Sequence, residues 1–588
     1  MIEWQQRPVD AKAVADLAAA GASPLMARLL ALRGIEPEGL EKFFSPDWRD
    51  LAAPRELPGV ENAAKIIYSY LARDERIVVF GDYDCDGLCA TAIMTLALRR
   101  IRAEIAPGLV KVKEQNIFPF LPERLGEGYG LTDGSVARML SKNPDVKLVV
   151  TVDNGVNAVE QIEALKQNGI EVVVTDHHLR GETLPAAAAI VNPKVEAPRH
   201  LQDLCGAAVA YFLANELVEI ARQKSSQATI AKGLGGTLFT LAGLATVTDI
   251  MPLSEQNRIF VAEALRHFPR WAPIGLRELH AHAARTGVEA MSSKDFGFLL
   301  GPRINAVGRL DSGDKALELL LCPECERERS RTLAIDVDLY NSQRRQIEQR
   351  MSEAAMAQIV PGAPAQIIAF DSDNPDVHPG VAGIVASRIL EKLSPQVPVC
   401  VLVDGKGSSR APAGYNVRDA LSSADDELLH YGGHAVAAGL AVKSGRLEEF
   451  KAIFTEACVE QAANLPPADT GVRFVDAELE PKDITLDFAE DIARMEPFGE
   501  GNSEPVFVLR NVNLAQGGVR QLGATGNHLQ LAFRERNLPR AVWWGHGDMV
   551  EDIRAWSASP YDLLFNLTVS EYGGRHVEIN LVDLRPVR

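Results

Sequence analysis

Three short apolar-rich runs, Val78–Phe80, Val146–Val152 and Ile170–Thr175, each end in residues suited to binding metal ions: Asp82, then Asp153-Asn154-Gly155, then Asp176-His177-His178. Helical spacing fills the intervals. Glu61–Arg73 carries Ala63, Ile66, Ile67, Tyr70 and Leu71 on one face, and Ala90–Arg100 and Val159–Asn168 follow the same pattern. Buried strands alternating with helices predict βαβ units and a parallel sheet, whose functional residues gather past the carboxyl ends of the strands. A fourth apolar run, Leu241–Val247, is strand-like or helical and leads into Asp249. A single Asp at a strand end is most often a helix cap. Four clusters, three of them at one end of one inferred sheet, point instead to a site.

The first cluster is the densest: Gly81-Asp82-Tyr83-Asp84-Cys85-Asp86-Gly87. On an extended backbone Asp82, Asp84 and Asp86 would project from one face. Like charges so close repel unless cations lie between them, and an all-oxygen set suits Mg²⁺ or Mn²⁺. A calcium loop beginning at Asp82 would need a bidentate Glu at its twelfth position, where this chain has Ile93.

Composition limits the classes. With 588 residues and 46% hydrophobic content, several cores are expected. No run approaches the ~20 apolar residues of a membrane span, and Met1-Ile2-Glu3-Trp4 lacks a signal-peptide layout. Seven scattered cysteines argue against a disulfide framework and for a reducing, cytoplasmic setting. Cys322-Pro323-Glu324-Cys325 has no second pair and is expected to be a plain turn. A net charge of −18 argues against general avidity for nucleic acid, though a local basic track remains compatible with it.

Five segments are expected: an N-terminal helical region over 1–50, an α/β parallel-sheet domain over 51–325, a connecting helix over 326–361, a smaller α/β domain over 362–465, and a C-terminal β-barrel over 466–588. Gly301–Leu310, rich in glycine, arginine and asparagine, is expected to be a loop. The charged helix about Arg327–Ala357 is expected to be a spacer. Strands are expected near 366–370 and 397–403, and Pro466-Pro467 marks the last boundary. Short alternating runs beyond it suggest a small antiparallel barrel.

With these residues laid out, the chain resembles the DHH phosphoesterase superfamily and, within it, the RecJ family of single-strand-specific 5′-to-3′ DNA exonucleases. The resemblance runs from about residue 24 to 588. It rests on GDYDCDG (81–87), TVDNG (151–155), TDHH (175–178) and TVTDIMPL (246–253), which the superfamily shares. GPRINAVGRL (301–310), HPGVAGIVASR (378–388), GSSRAP (407–412), YGGHAVAAG (431–439), EPFGEGNSEPVF (496–507) and the terminal barrel point to RecJ. Two positions depart from the pattern: Cys85 stands where a small aliphatic residue is frequent, and Asp376-Val377 where an aromatic often precedes the HPG motif. Cys85 is expected to point away from the metals while leaving the site open to oxidation.

The resemblance implies a DHH domain, a DHH-associated domain and a terminal OB-fold. It implies two Mn²⁺ or Mg²⁺ ions held by Asp82, Asp84, Asp86, Asp153, His177 and Asp249, with Asp153 bridging both. Asp84, Asp153, His177 and His178 would carry catalysis, His178 by orienting a ligand or contacting the scissile phosphate. The chemistry agrees, because two such ions can activate water and stabilise both the attacking and the leaving oxygen of a phosphodiester. The implied activity releases mononucleotides from single-stranded DNA in repair and recombination. Single-strand-binding protein and a recombination helicase are the implied partners, and the enzyme is expected to be a monomer.

Candidate substrate contacts are Arg124, Arg303, Asn305, Arg309, His378, Ser408, Arg410, Gly433 and His434. Arginine binds phosphate through a planar fork, and glycine lets backbone N–H groups approach it. Arg303 and Arg410 serve equally well as interdomain salt bridges. In the barrel, Phe533, Trp543, Trp544, Tyr561 and Phe565 are core or stacking residues, and Arg520, Arg534, Arg536 and Arg540 can follow a DNA backbone. Two other functions compete. A DHH phosphodiesterase acting on short RNA or cyclic dinucleotides generally lacks the N-terminal helical region and the barrel. A non-catalytic DHH-fold replication scaffold would have lost metal ligands, all of which are present here.

Overall fold

The computed structural model describes residues 3–105, 116–224, 233–284, 291–465, 472–523, 525–535, 537–555, 559–571 and 574–587. Pro466, Pro467 and Arg536 lie outside the described residues. The chain divides into two units, one of Met1–Leu51, Pro252–Glu263 and Asp469–Arg588, the other of Ala52–Met251 and Ala264–Ala468. The N-terminal residues, expected as a region of their own, thus belong with the C-terminal ones. Strand β1 (Glu3–Gln6), not foreseen among the expected helices, runs parallel to Val472–Val475, with Glu3 opposite Val472.

In the larger unit, β2 (Ile77–Phe80), β3 (Ile117–Phe120), β4 (Leu148–Val152), β5 (Glu171–Thr175) and β6 (Ala189–Val191) form a parallel sheet in the order β3-β2-β4-β5-β6. Every residue of β2 and β4 is buried, the signature of a sheet covered on both faces. The chain steps from β2 out to β3 and returns on the other side at β4. That reversal opens a crevice past the ends of β2 and β4, where Asp82 and Asp153 follow.

Helix α1 (Cys85–Ile105) starts inside the acidic turn, so the three aspartates do not alternate along a strand as expected. Asp84 caps the helix instead: its carbonyl accepts from Leu88 N at 2.8 Å and its Oδ1 from Gly87 N at 3.0 Å. Asp86 then sits in the first helical turn. Helices α2 (Gly206–Lys224) and α3 (Gly235–Thr248) pack on α1, and α3 ends at Asp249.

The GPRINAVGRL stretch is helix α4 (Gly301–Leu310), entered through a π-helical turn at Asp295–Leu300. Its glycines are contact positions, not loop formers. A Cβ at Gly308 would lie 2.4 Å from the Tyr83 carbonyl oxygen, and one at Gly301 would lie 2.4 Å from Thr248 Cγ2. Helix α5 (Arg327–Met356) is also no spacer, since it buries Leu333, Ala334, Val337 and Met351 and packs along α4.

The second sheet of this unit runs β10-β11-β9-β8-β7, from β7 (Gln366–Phe370), β8 (Val399–Val403), β9 (Lys406–Arg410), β10 (Leu428–His434) and β11 (Ala437–Val442). Only β7 and β8 pair in parallel.

In the other unit, β12 (Val472–Val475) pairs with β1. The strands β13 (Ala477–Glu478), β14 (Phe507–Val512), β15 (Leu514–Leu522), β16 (His528–Phe533), β17 (Ala541–Trp543), β18 (Tyr561–Ser570) and β19 (His576–Pro586) form a mixed sheet ordered β13-β14-β18-β19-β17-β16-β15. Its hydrogen bonding does not close into a ring, and β13–β14 and β17–β19 are parallel, where a small antiparallel barrel was expected. Arg258 explains why its short segment belongs here. Its guanidinium donates to the carbonyls of Phe43, Met495 and Glu496 at 2.8–3.0 Å, and burial pushes its pKa down to about 10.

Candidate metal centre

Nε2 of His177 lies 3.2 Å from Asp153 Oδ1 and 3.6 Å from both Asp86 Oδ2 and Asp249 Oδ2. Three overlapping sets have ligand atoms within 4.8 Å of one another: Asp82, Asp84 and Asp153; Asp86, His177 and Asp249; Asp153, His177 and His178. All six expected ligands therefore converge. They arrive from five places in the fold. Asp82 ends β2, Asp84 and Asp86 open α1, Asp153 ends β4, His177 follows β5, and Asp249 closes α3. Asp153 adopts a left-handed φ of 63°, which costs a non-glycine residue about 1–2 kcal/mol.

The electrostatics call for a cation. Burial first, then neighbouring carboxylates, push Asp82 and Asp153 well above the usual carboxylate range, and Asp249 to about 9. Burial also raises Asp86 and lowers His177, which is thereby kept neutral as a ligand must be. Asp82 Oδ1, Asp153 Oδ1 and Asp249 Oδ2 are buried without any hydrogen-bond partner. Buried carboxylate oxygens left bare in this way fit a divalent ion, and hard oxygen donors with one imidazole suit Mn²⁺ or Mg²⁺.

Asp86 is held from behind, its oxygens accepting from Gly206 N at 2.6 Å and Ala207 N at 2.7 Å, the first turn of α2. Nothing in the apolar sequence around Cys205–Ala208 signalled that role. Asp176 is wholly occupied: its carboxylate accepts from the backbone N–H groups of Val156, His177 and His178, and its Oδ1 lies 2.7 Å from His178 Nδ1. Burial alone would lower His178, but its hydrogen bond to Asp176 and that carboxylate's charge raise it above the usual imidazole value. Cys85 is buried and is not part of any of the three ligand sets.

The substrate candidates divide. Arg124 lies over the Tyr83 ring, 4.9 Å from its centroid. Burial, then the charges of Arg124 and Arg344, push Arg309 down to about 10, and burial followed by Arg124 lowers Arg410. Among the described residues, no carboxylate forms a salt bridge with Arg124, Arg309 or Arg410, so their positive charge stays open to an anion. Arg410 Nη1 donates to Ser409 O at 2.8 Å and lies against Ser408 Oγ. Sheet register aligns Arg410, Ala437 and His434 in one row, about 10 Å from first strand to last, with Gly433 on the same edge strand. His378 Nδ1 accepts from Gly380 N at 3.2 Å and caps a short helical turn. Two candidates are committed elsewhere. Arg303 is bound to Asp338 Oδ1 at 2.7 Å and Leu299 O at 2.8 Å, and Asn305 Oδ1 accepts from Cys85 N at 2.7 Å. Trp543, Tyr561 and Phe565 are core, Phe533 packs against it, and Trp544 is exposed.

Family models match along the chain: "DHH family, N-terminal domain" over 76–240, "DHHA1 domain" over 363–460 and "RecJ OB domain" over 475–583. The single-stranded-DNA-specific exonuclease RecJ of Dickeya dadantii is 36% identical over 96% of both chains. This chain belongs to the RecJ family. RecJ of Escherichia coli is 33% identical over 86% of each chain. Among solved structures, RecJ from Thermus thermophilus in complex with Mn²⁺ superposes with a TM-score of 0.79 at 30% identity, covering 100% of this chain and 80% of that one. The same RecJ in complex with Mg²⁺ gives 0.73 at 28% identity, covering 100% and 79%. No helix among the described residues is long and apolar enough to cross a membrane.

Proposed function

We infer that this chain is a divalent-metal-dependent exonuclease that hydrolyses single-stranded DNA from the 5′ end to mononucleotides. The observation that carries the reading is the His177 imidazole facing three carboxylates within 3.6 Å, beside buried oxygens that have no other partner, in a RecJ-family chain. Asp82, Asp84, Asp86, Asp153, His177 and Asp249 would hold two Mn²⁺ or Mg²⁺ ions. Bound there, the ions supply an activated nucleophile and charge stabilisation for an in-line displacement.

The protein's own groups do the rest. His178, held through its Nδ1 by Asp176, lies beside Asp153 and contacts the scissile phosphate. Arg124, Arg309 and Arg410, with Ser408, receive the leading 5′-phosphate and set where the strand stops, which makes cleavage exonucleolytic. Gly433 and His434 guide the strand along the β10 edge, and His378 caps the turn whose Gly380 packs against the Arg309 backbone carbonyl. Repair and recombination, with single-strand-binding protein and a recombination helicase as partners in the cytoplasm, are the setting this reading implies.

The test is degradation of end-labelled single-stranded and duplex DNA, with Mn²⁺ or with chelator. Release of labelled mononucleotide from the 5′ end of single strands, abolished by chelation, is expected. Equal attack on blunt duplex, or activity in chelator, would overturn the reading.

A further inference from the structure

The loop before Leu131 sends one side chain into the metal centre that the reaction as described does not use. The Tyr129 ring is half exposed, and its Oη donates to the Asp153 carbonyl at 2.7 Å and lies 3.0 Å from His178 Nδ1 and 3.4 Å from its Nε2. The hydroxyl is the donor in the contact with Asp153, because a backbone carbonyl oxygen can only accept. Its oxygen is left to accept from His178 Nδ1–H, which is shared with Asp176 Oδ1. The two rings meet edge to face at 5.4 Å. Two groups that gain most from being held are thus tied by one hydroxyl. Asp153 keeps a left-handed backbone without glycine's freedom, and His178 must aim its Nε2 edge.

We propose that Tyr129 is a positioning residue of the metal centre, its hydroxyl fixing the Asp153 turn and the His178 ring together. The proposal rests on the nuclease reading above. It acts through residues that touch metal and phosphate, as outer-shell partners do when they orient ligands.

The experiment compares Tyr129→Phe with wild type, using a short 5′-phosphorylated oligonucleotide and Mn²⁺. Phe keeps the ring and removes only the hydroxyl. Loss of such a partner is expected to lower kcat about 10-fold or more with KM within about 2-fold, and to weaken Mn²⁺ binding measured as the Mn²⁺-induced rise in melting temperature. The metal-free melting temperature should stay at the wild-type value. Wild-type kcat with a wild-type Mn²⁺ response would overturn the proposal. So would a metal-free melting temperature that falls in step with kcat, since that marks a purely structural role. Inactive wild-type enzyme would count against the nuclease reading instead, and there the Mn²⁺ titration alone decides on Tyr129.

Discussion

The Asn305 amide oxygen accepts from the Cys85 backbone N–H at 2.7 Å, tying helix α4 to the first turn of α1 between the proposed ligands Asp84 and Asp86. A side chain expected at the substrate thus holds the acidic turn. Asn305→Ala leaves that amide without its partner, at a cost of about 1–3 kcal/mol. Chemical denaturation should show that loss, and kcat should fall with little change in KM for DNA.

Arg410 and Arg303 give opposite expectations. Arg410 carries no salt bridge and sits with Ser408, whereas Arg303 is bound to Asp338. Arg410→Ala should weaken 5′-phosphorylated strands more than 5′-hydroxyl strands. Arg303→Ala should lower the melting temperature and leave that preference intact. Equal losses for both strand types in Arg410→Ala would make it a packing residue.

The carboxylates predict an unusual pH response. Asp82, Asp86, Asp153 and Asp249 have folded pKa values raised above an unfolded value of about 4, so in that window the folded chain binds more protons than the unfolded one. Metal-free protein should therefore lose stability as pH rises from about 4 through 9, the value Asp249 reaches. Bound metal replaces those protons, so Mg²⁺-induced stabilisation should grow with pH. Melting temperatures at three pH values, with chelator and with Mg²⁺, check both trends.

Much of this centre was legible because β2, β4 and β5 are apolar runs that end in Asp or His. A strand end followed by a ligand is local in sequence. The misreadings were tertiary. Gly301 and Gly308 looked like loop formers, and only the nearness of Thr248 and Tyr83 explains them in a helix. The acidic turn looked extended because an Asp84 cap and the first turn of α1 have no apolar period. The Gly206 and Ala207 donors to Asp86 are backbone groups and carry no residue signal. Strand β1 has only four residues and depends on a partner at the far end of the chain, Val472–Val475.

The outer face of the C-terminal sheet is suited to a DNA backbone. Arg520 is exposed and lies opposite Gln530, whose Oε1 accepts from Arg540 Nη1 at 3.3 Å, and the exposed Trp544 donates to Asn580 Oδ1 at 2.9 Å. Each DNA phosphate that is no longer neutralised should shift the slope of log affinity against log salt by about 0.7. Arg520→Ala with Arg540→Ala should flatten that slope on long strands and leave hydrolysis of very short ones unchanged. An unchanged slope would favour a protein-docking role for this face.

Metal stoichiometry tests the centre most directly. Mn²⁺ titrated into metal-free protein by calorimetry should show two ions bound per wild-type chain, and Asp153→Ala should lose at least one of them together with hydrolysis. One ion in the wild type, or two ions and retained activity in Asp153→Ala, would contradict the two-ion centre.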